Sequence, residues 1–202
     1  MLIFSTVLSA CTQENAKIPA SAAPGKKLVE PFRFHKAIEV KPGLTLDVLS
    51  WGRGSDSTGA YLILRSDSTH LKYKSISGEL EGQIVDVWNM DMDADGDPEL
   101  FIQAKVAGEF TYLKMYVYEF GDSGSAREIP FPNLSGKTKK GYKGADSVYI
   151  KDDELLREFV VMNEGGVDGK PSAEKRVLKY RLRNNNLNVD EVKQEKDDGK
   201  NQ

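Results

Sequence analysis

A dense run of acidic residues is the sharpest candidate for chemistry in the sequence. Five carboxylates stand in nine residues with no base among them, in the order Asp91-Met92-Asp93-Ala94-Asp95-Gly96-Asp97-Pro98-Glu99. Oxygen ligands at alternate positions, with a glycine at the sixth for the sharp turn, are what a hard cation such as Ca²⁺ requires of a short loop. The run therefore predicts a structural Ca²⁺ site with Asp91, Asp93, Asp95, Asp97 and Glu99 as its ligands.

The spacing separates this run from an EF-hand loop. An EF-hand needs a bidentate Glu at position twelve, which is Ile102 here, whereas the last acid is Glu99 at position nine. The run resembles the Asp-x-Asp-x-Asp-Gly-x-x-Asp loops of FG-GAP and integrin-propeller repeats, where a metal holds a turn between two strands. That resemblance implies side-chain ligation by all the acids except Asp97, which would offer its backbone carbonyl. The alternative is a strand-connecting turn whose Asp and Gly residues serve local backbone hydrogen bonds, with an optional cation.

Signatures of other chemistry are missing. The sequence has two histidines, His35 and His70, which we expect on the surface or hydrogen-bonded, and it lacks a Gly-x-Ser-x-Gly motif, a phosphate loop and a dinucleotide fingerprint. Paired carboxylates for glycoside hydrolysis have no support beyond the total of 31 acids. We therefore expect a binding protein and not an enzyme. A hydrolase of envelope polymers is the least favoured alternative.

Net charge and cysteine content exclude further classes of protein and site. The net charge is −3, of which the acidic run contributes −5 and the rest of the chain +2. A pI near 5.6 and the lack of a polybasic run argue against nucleic-acid binding. A single cysteine rules out an internal disulfide and a four-thiolate zinc site.

That cysteine has an informative position. Residues 1–10 are uncharged and end in Leu8-Ser9-Ala10 just before Cys11, which resembles the lipobox of a bacterial lipoprotein. The stretch falls short of the ~20 apolar residues that span a bilayer, so we interpret it as a signal segment. The resemblance implies that Cys11 is lipidated and supplies the only membrane contact. Since Thr12 is not the aspartate of an inner-membrane retention signal, the outer membrane, facing the periplasm, is the expected location. The alternative is an incidental cysteine at an ordinary N-terminus.

Period-two alternation predicts the elements that position these residues. It indicates an all-β, mainly antiparallel fold, either a single-domain β-sandwich or a flattened barrel with long loops. One or two helical turns are expected within Leu134 to Tyr142, and Trp51 and Trp88 are expected in the core. No repeat of fixed period is visible, which argues against a propeller of many blades. The predicted strands are Leu44–Leu49, Tyr61–Leu64, Leu71–Ser75, Ile84–Trp88, Leu100–Ile102, Tyr112–Phe120, Ser147–Ile150, Leu155–Val161, Val177–Arg183 and Leu187–Val192.

The chain divides by composition into four segments. Residues 1–10 form the signal segment, and residues 11–30, rich in Ala, Pro and Ser, form the lipidated cysteine and a flexible tether. Residues 31–192 form one β domain, and residues 193–202 are polar throughout and form a disordered tail. Edge strands of such a domain could pair two copies into a homodimer.

The order of segments from residue 82 to residue 183 resembles the periplasmic inhibitors of invertebrate-type (I-type) lysozyme. The resemblance begins with Val85 to Gln103, which contains the acidic run, and continues through an aromatic strand at Tyr112 to Phe120. It is completed by Gly141-Tyr142-Lys143-Gly144-Ala145-Asp146, then Leu156-Arg157-Glu158-Phe159, and then Leu178-Lys179-Tyr180-Arg181-Leu182. These pieces cover about half the chain, and their order and spacing carry the resemblance.

The resemblance implies a protein that occludes a lysozyme cleft and so protects peptidoglycan. The family's contact motif is a Ser-Gly-x-Tyr turn, which aligns with Ala107-Gly108-Glu109-Phe110. The glycine is kept, the two hydroxyl donors are replaced, and Glu109 adds a negative charge. The implied partner-binding residues are Ala107, Gly108, Glu109, Phe110 and Tyr142, although a plain hairpin turn and a packed loop around Tyr142 would explain the same residues.

Two functions are therefore expected from the sequence. The first is an envelope lipoprotein that inhibits I-type lysozyme, or binds another envelope protein, by occluding a cleft. The alternative is a Ca²⁺-stabilised β-sandwich interaction or scaffold lipoprotein of the cell envelope without inhibitory activity.

Overall fold

Twelve β-strands account for nearly all regular structure in the computed structural model, which describes residues 28–192 except 109, 122 and 163–170. The all-β, antiparallel prediction is confirmed, with one short helix inside the predicted helical segment. Cys11, the signal segment, most of the tether, the C-terminal tail and Glu109 lie outside the described residues. The elements are β1 (Phe32–Lys41), β2 (Leu44–Trp51), β3 (Thr58–Asp67), β4 (Lys72–Glu81), β5 (Gln83–Met90), β6 (Glu99–Val106), β7 (Tyr112–Phe120), β8 (Ala126–Glu128), α1 (Gly136–Lys139), β9 (Ser147–Lys151), β10 (Glu154–Met162), β11 (Pro171–Arg183) and β12 (Asn186–Val192).

The strands form three four-stranded sheets, each an up-and-down meander of consecutive strands. Sheet A contains β1 to β4, sheet B contains β5 to β8, and sheet C contains β9 to β12. Every neighbouring pair is antiparallel. Of the two architectures predicted from the sequence, the flattened barrel is not formed, because none of the three sheets closes on itself.

Sheet B lies between the other two and has both faces buried. In β6, Leu100 and Ile102 belong to the core shared with sheet A, while Phe101 belongs to the core shared with sheet C. All three side chains have 0% exposure. Burial of such a side chain is worth about 1.5–3 kcal/mol, so both cores stabilise this strand. A strand covered on both faces loses the polar alternation, as the consecutive residues Leu100, Phe101 and Ile102 of β6 do.

The first core fills the space between sheets A and B, and the second fills the space between sheets B and C. The buried residues of the first are Leu46, Val48, Tyr61, Ile63, Leu80, Ile84, Val87, Leu100, Ile102, Ala104, Tyr116, Tyr118 and Phe120. Those of the second are Phe101, Met115, Val117, Ile129, Leu155, Phe159, Leu178, Tyr180, Leu182 and Leu187. The three sheets therefore stack in the order A, B, C.

Six hairpin turns meet at one end of this stack. Within each sheet, the turns after the first and third strands are on the same side, because consecutive strands alternate in direction. Lys41 at the end of β1 reaches Asp97 in the β5–β6 turn, with 3.2 Å between Nζ and Oδ1. Arg127 in β8 donates to Asn185 in the β11–β12 turn. We call this end, which carries residues 91–98, the acidic end.

The structure contains features that the sequence reading missed. Strand β1 was not predicted, although Phe34, Ile38 and Val40 alternate and pack against the first core. Lys36 interrupts the alternation, and its Nζ lies 2.8 Å from Asp86 Oδ1 of sheet B. The expectation that Trp51 is a core residue is wrong, since 46% of it is exposed at the end of β2.

Candidate functional site

The acidic run forms the turn between β5 and β6, as the sequence predicts. Ala94 and Gly96 adopt positive φ values of 60° and 89°. The Gly96 N–H donates to Asp91 Oδ2 at 3.1 Å, and the Asp97 N–H donates to Asp95 Oδ1 at 2.8 Å. Asp and Asn side chains favour turns because they make such local hydrogen bonds. Part of the acidic composition is thus explained by the backbone of the turn itself.

Asp97 does not share a site with the other acids. Its Oδ1 accepts from Lys41 Nζ at 3.2 Å. It belongs to neither of the two groups of acids whose oxygens converge among the described residues. Its side chain links sheets A and B.

Glu99, the first residue of β6, is enclosed. Its exposure is 0%, and its Oε2 accepts from the Met92 N–H at 2.9 Å. Its Oε1 is buried with no hydrogen-bond partner among the described residues. Burial raises the pKa of the Glu99 carboxyl from 4.5 to about 7; the Met92 N–H opposes this shift and the charge of Asp93 adds to it. A buried carboxylate with a free oxygen is costly unless a proton or a cation satisfies it.

Glu119 on β7 is the acid that the sequence reading missed. The register pairs Leu100 with Tyr118, which places Glu119 opposite Glu99 on the same face of sheet B. Arg127 on β8 donates to both Glu119 oxygens, at 2.6 and 2.7 Å. Glu119 is 20 positions from Glu99 in the sequence, so only the strand register brings the two together.

Two groups of three carboxylates converge at the acidic end. One is Asp91, Asp93 and Asp95, all exposed, and the other is Asp93, Glu99 and Glu119. In each group, one oxygen of every residue lies within 4.8 Å of the others. Four of the five predicted ligands are therefore brought together, with Asp93 common to both groups.

The turn that carries the predicted partner-binding residues connects β6 to β7, with Val106 paired to Tyr112 across it. Ala107 and Gly108 are exposed, and Phe110 is half-buried. A Cβ on Gly108 would lie 3.1 Å from the Tyr112 ring, so a larger residue would crowd the turn.

The following loop anchors this turn. The Ala145 N–H donates to the Thr111 carbonyl at 2.8 Å. A Cβ on Gly144 would lie 2.5 Å from the same oxygen, so only glycine allows this close approach. Lys105, Thr111 and Tyr112 line a small cavity beside the turn together with Asp146 of this loop.

Tyr142 lies beneath the turn in an enclosed polar network. Its hydroxyl donates to Asp146 Oδ2 at 2.6 Å and accepts from Arg157 Nη2 at 3.0 Å. Arg157 Nε donates to Asp146 Oδ1 at 2.6 Å, and the side chains of this ion pair are 6% and 2% exposed. Burial, followed by the Asp146 carboxylate, raises the pKa of Tyr142. The Tyr142 hydroxyl therefore holds the loop, and its ring lies 6.1 Å from that of Tyr112.

Both histidines are on the surface, as expected, and each is hydrogen-bonded to a carboxylate. His35 Nε2 lies 2.7 Å from Asp47 Oδ1. His70 Nδ1 lies 3.0 Å from Asp67 Oδ2, and Asp67 also accepts the His70 N–H at 3.0 Å. These contacts lower the pKa of Asp67, with the hydrogen bond from the backbone N–H as the largest cause.

The acidic end and the β6–β7 turn are at opposite ends of β6. Seven residue steps separate Glu99 from Val106, which at about 3.3 Å per residue is roughly 23 Å. Changes at one site can therefore be made without contact to the other.

Among the described residues, the structure contains no helix that is long and apolar enough to cross a membrane. Comparison of the chain with family models, curated proteins and solved structures gives no match, so its fold and site geometry are the basis for assigning a function.

Proposed function

We propose that the protein is a lipid-anchored binding protein of the bacterial envelope that presents the β6–β7 turn to an acidic cleft, with I-type lysozyme as the first candidate partner. The observation that carries this proposal is the group of donors beside an exposed, anchored turn. Lys105 and Thr111 are exposed and line the same cavity as Tyr112. The protein acts by occlusion and performs no reaction.

Hydrogen-bond donors beside the turn can replace the hydroxyl donors that the contact motif has lost. Ala107 and Phe110 lack the hydroxyls of the Ser-Gly-x-Tyr turn, and a lysozyme cleft presents catalytic carboxylates that need donors. Lys105 lines the cavity and brings an ammonium group to this position. A charged donor forms a stronger hydrogen bond to a carboxylate than a neutral hydroxyl does.

Anchoring of the β6–β7 turn favours binding, because the turn loses little conformational entropy when a partner binds. The hydrogen bond from Ala145 to Thr111 and the network around Arg157 hold the loop behind the turn. Pre-organisation lowers the entropic cost of association.

Lysis of a peptidoglycan suspension by an I-type lysozyme tests the proposal. Protein comprising residues 12–202, which lacks the anchor cysteine, should slow lysis at micromolar concentration. Lys105→Glu places a like charge against the cleft and should weaken inhibition at least about tenfold. Lys151→Glu makes the same charge change on an exposed residue of sheet C and should have little effect.

Unaltered lysis at micromolar wild-type protein would refute inhibition. An equal effect of the two lysine variants would refute contact through the β6–β7 turn.

A second candidate function is a Ca²⁺-stabilised interaction module of the envelope without inhibitory activity. The buried free oxygen of Glu99 at the acidic end favours it. Normal lysis combined with strong Ca²⁺ stabilisation would favour this second candidate over the first.

A further inference from the structure

We propose that the acidic end of sheet B binds one divalent cation, Ca²⁺ fitting best, through the carboxylates of Asp93, Glu99 and Glu119. The site joins a turn residue to two neighbouring strands. It does not depend on the proposed function, because it lies at the far end of β6 from the β6–β7 turn.

The buried side chain of Glu99 is the observation that points to a ligand. With 0% exposure and one oxygen free of hydrogen bonds among the described residues, it lacks the partner that buried polar atoms almost always have. Its other oxygen is already held by the Met92 N–H, which fixes the carboxylate in place. A bound cation would supply the missing partner.

The distances suit a single ion. One oxygen from each of Asp93, Glu99 and Glu119 lies within 4.8 Å of the other two. Ca²⁺ binds oxygen at about 2.3–2.6 Å, so two ligands of one ion lie at most about 5 Å apart. One Ca²⁺ can therefore contact all three oxygens with little movement of the strands.

The local charge also matches a divalent ion. When all three carboxylates are ionised they contribute −3, and Arg127, which donates to both oxygens of Glu119, contributes +1. The net charge of this group is therefore −2. Its two glutamates are opposite each other on adjacent strands, and such a pair is destabilising when its charge is uncompensated. A divalent cation would neutralise it.

The exposed acids of the turn are less suited to be the main ligands. Asp91 and Asp95 each accept a backbone hydrogen bond within the turn. They are exposed, so their other oxygens are accessible to solvent. Ca²⁺ takes six to eight oxygen ligands, and water or a turn residue can complete its shell.

Calorimetric titration of the full chain with CaCl₂, after removal of metal with EDTA, tests this site. We expect one Ca²⁺ per chain and a rise of melting temperature with Ca²⁺ concentration. Asp93→Asn and Glu119→Gln each remove one ligand charge and should weaken binding at least about tenfold, because ligand charge sets the affinity of such sites. Asp95→Asn is the matched control, an equal change two positions away on the same exposed turn, and should weaken binding less than about threefold.

Three results would overturn the proposal. The first is wild-type protein that shows neither heat nor a melting shift up to millimolar Ca²⁺. The second is an equal loss in Asp95→Asn and Asp93→Asn, which would place the ion in the exposed group. The third is unchanged binding in Glu119→Gln. Because Asp93 is exposed, its variant is expected to fold even if a change at Glu119 disturbs the sheet.

Discussion

The pH dependence of stability should report the buried carboxyl of Glu99 in metal-free protein. Its pKa is raised from 4.5 to about 7 by burial, so the folded state holds this proton more tightly than the unfolded state. At 1.36 kcal/mol per pKa unit, the shift corresponds to at most about 3 kcal/mol. This contribution is fully present below about pH 4.5, declines as the pH rises and is lost above about pH 7.

Glu99→Gln isolates this effect because the amide has nearly the same shape and does not titrate. In EDTA, the variant and the wild type should have similar free energies of unfolding at pH 4.5. At pH 8 the variant should be more stable by up to about 3 kcal/mol, since the wild type then buries a charge. Groups that do not interact with Glu99 titrate equally in both proteins, so the difference between them reports Glu99 and its coupling to Asp93 and Glu119.

Urea unfolding at pH 4.5, 6 and 8, followed by circular dichroism, measures this difference. A difference between the two proteins that stays constant over this range would refute the argument, because it would mean that Glu99 has an ordinary pKa. Saturating Ca²⁺ at pH 8 should reduce or reverse the advantage of the variant, since the variant lacks one of the three carboxylates proposed to bind the ion.

Two further predictions concern the buried ion pair of Asp146 with Arg157 and the glycines of two turns. Asp146→Asn should lower the free energy of unfolding by about 3–5 kcal/mol in chemical denaturation, because Arg157, only 5% exposed, keeps its charge without a carboxylate partner. Asp190→Asn, at an exposed ion pair, should cost less than about 1 kcal/mol, and equal costs for the two would contradict the network. Gly82→Ala would place a Cβ 2.3 Å from a backbone carbonyl of β6 at φ +84°, whereas Gly54→Ala has the similar φ of +79° in open space. By thermal melting, the first should lose at least about 1 kcal/mol more than the second, and equal losses would show that the β4–β5 turn can relax.

Most strands could be predicted because their apolar pattern is local. β6 was recognised from its apolar run, and the turn before it from Asp and Gly residues. The stacking of three sheets was not predicted, because an apolar run as short as Leu100–Ile102 in β6 does not by itself indicate a strand with both faces covered. The four-strand meander also repeats without a fixed period. Its first strands begin at residues 32, 83 and 147, so the unequal connections conceal the repeat.

The candidate cation site was predicted in part, because most of its acids are close together in the sequence. The acids Asp91, Asp93, Asp95 and Glu99 fall within nine residues, so their spacing alone predicts a cation-binding turn. Glu119 is the only acid within the aromatic strand β7, and it joins the site only through the register of β6 with β7. Burial of Glu99 is likewise set by sheet C packing over sheet B, which no local pattern encodes.

The two ends of sheet B illustrate how one scaffold can separate stability from binding. At the acidic end, three carboxylates with one compensating arginine leave charge that an ion would neutralise. At the other end, the charges of Arg157 and Asp146 already neutralise each other, so the exposed Lys105 beside the turn is free to meet a partner. Because the buried residues 100–104 of β6 lie between them, a change of charge at either end should alter only its own ligand. Binding of Ca²⁺ and occlusion of a cleft are therefore expected to be energetically independent, which makes each proposal refutable without the other.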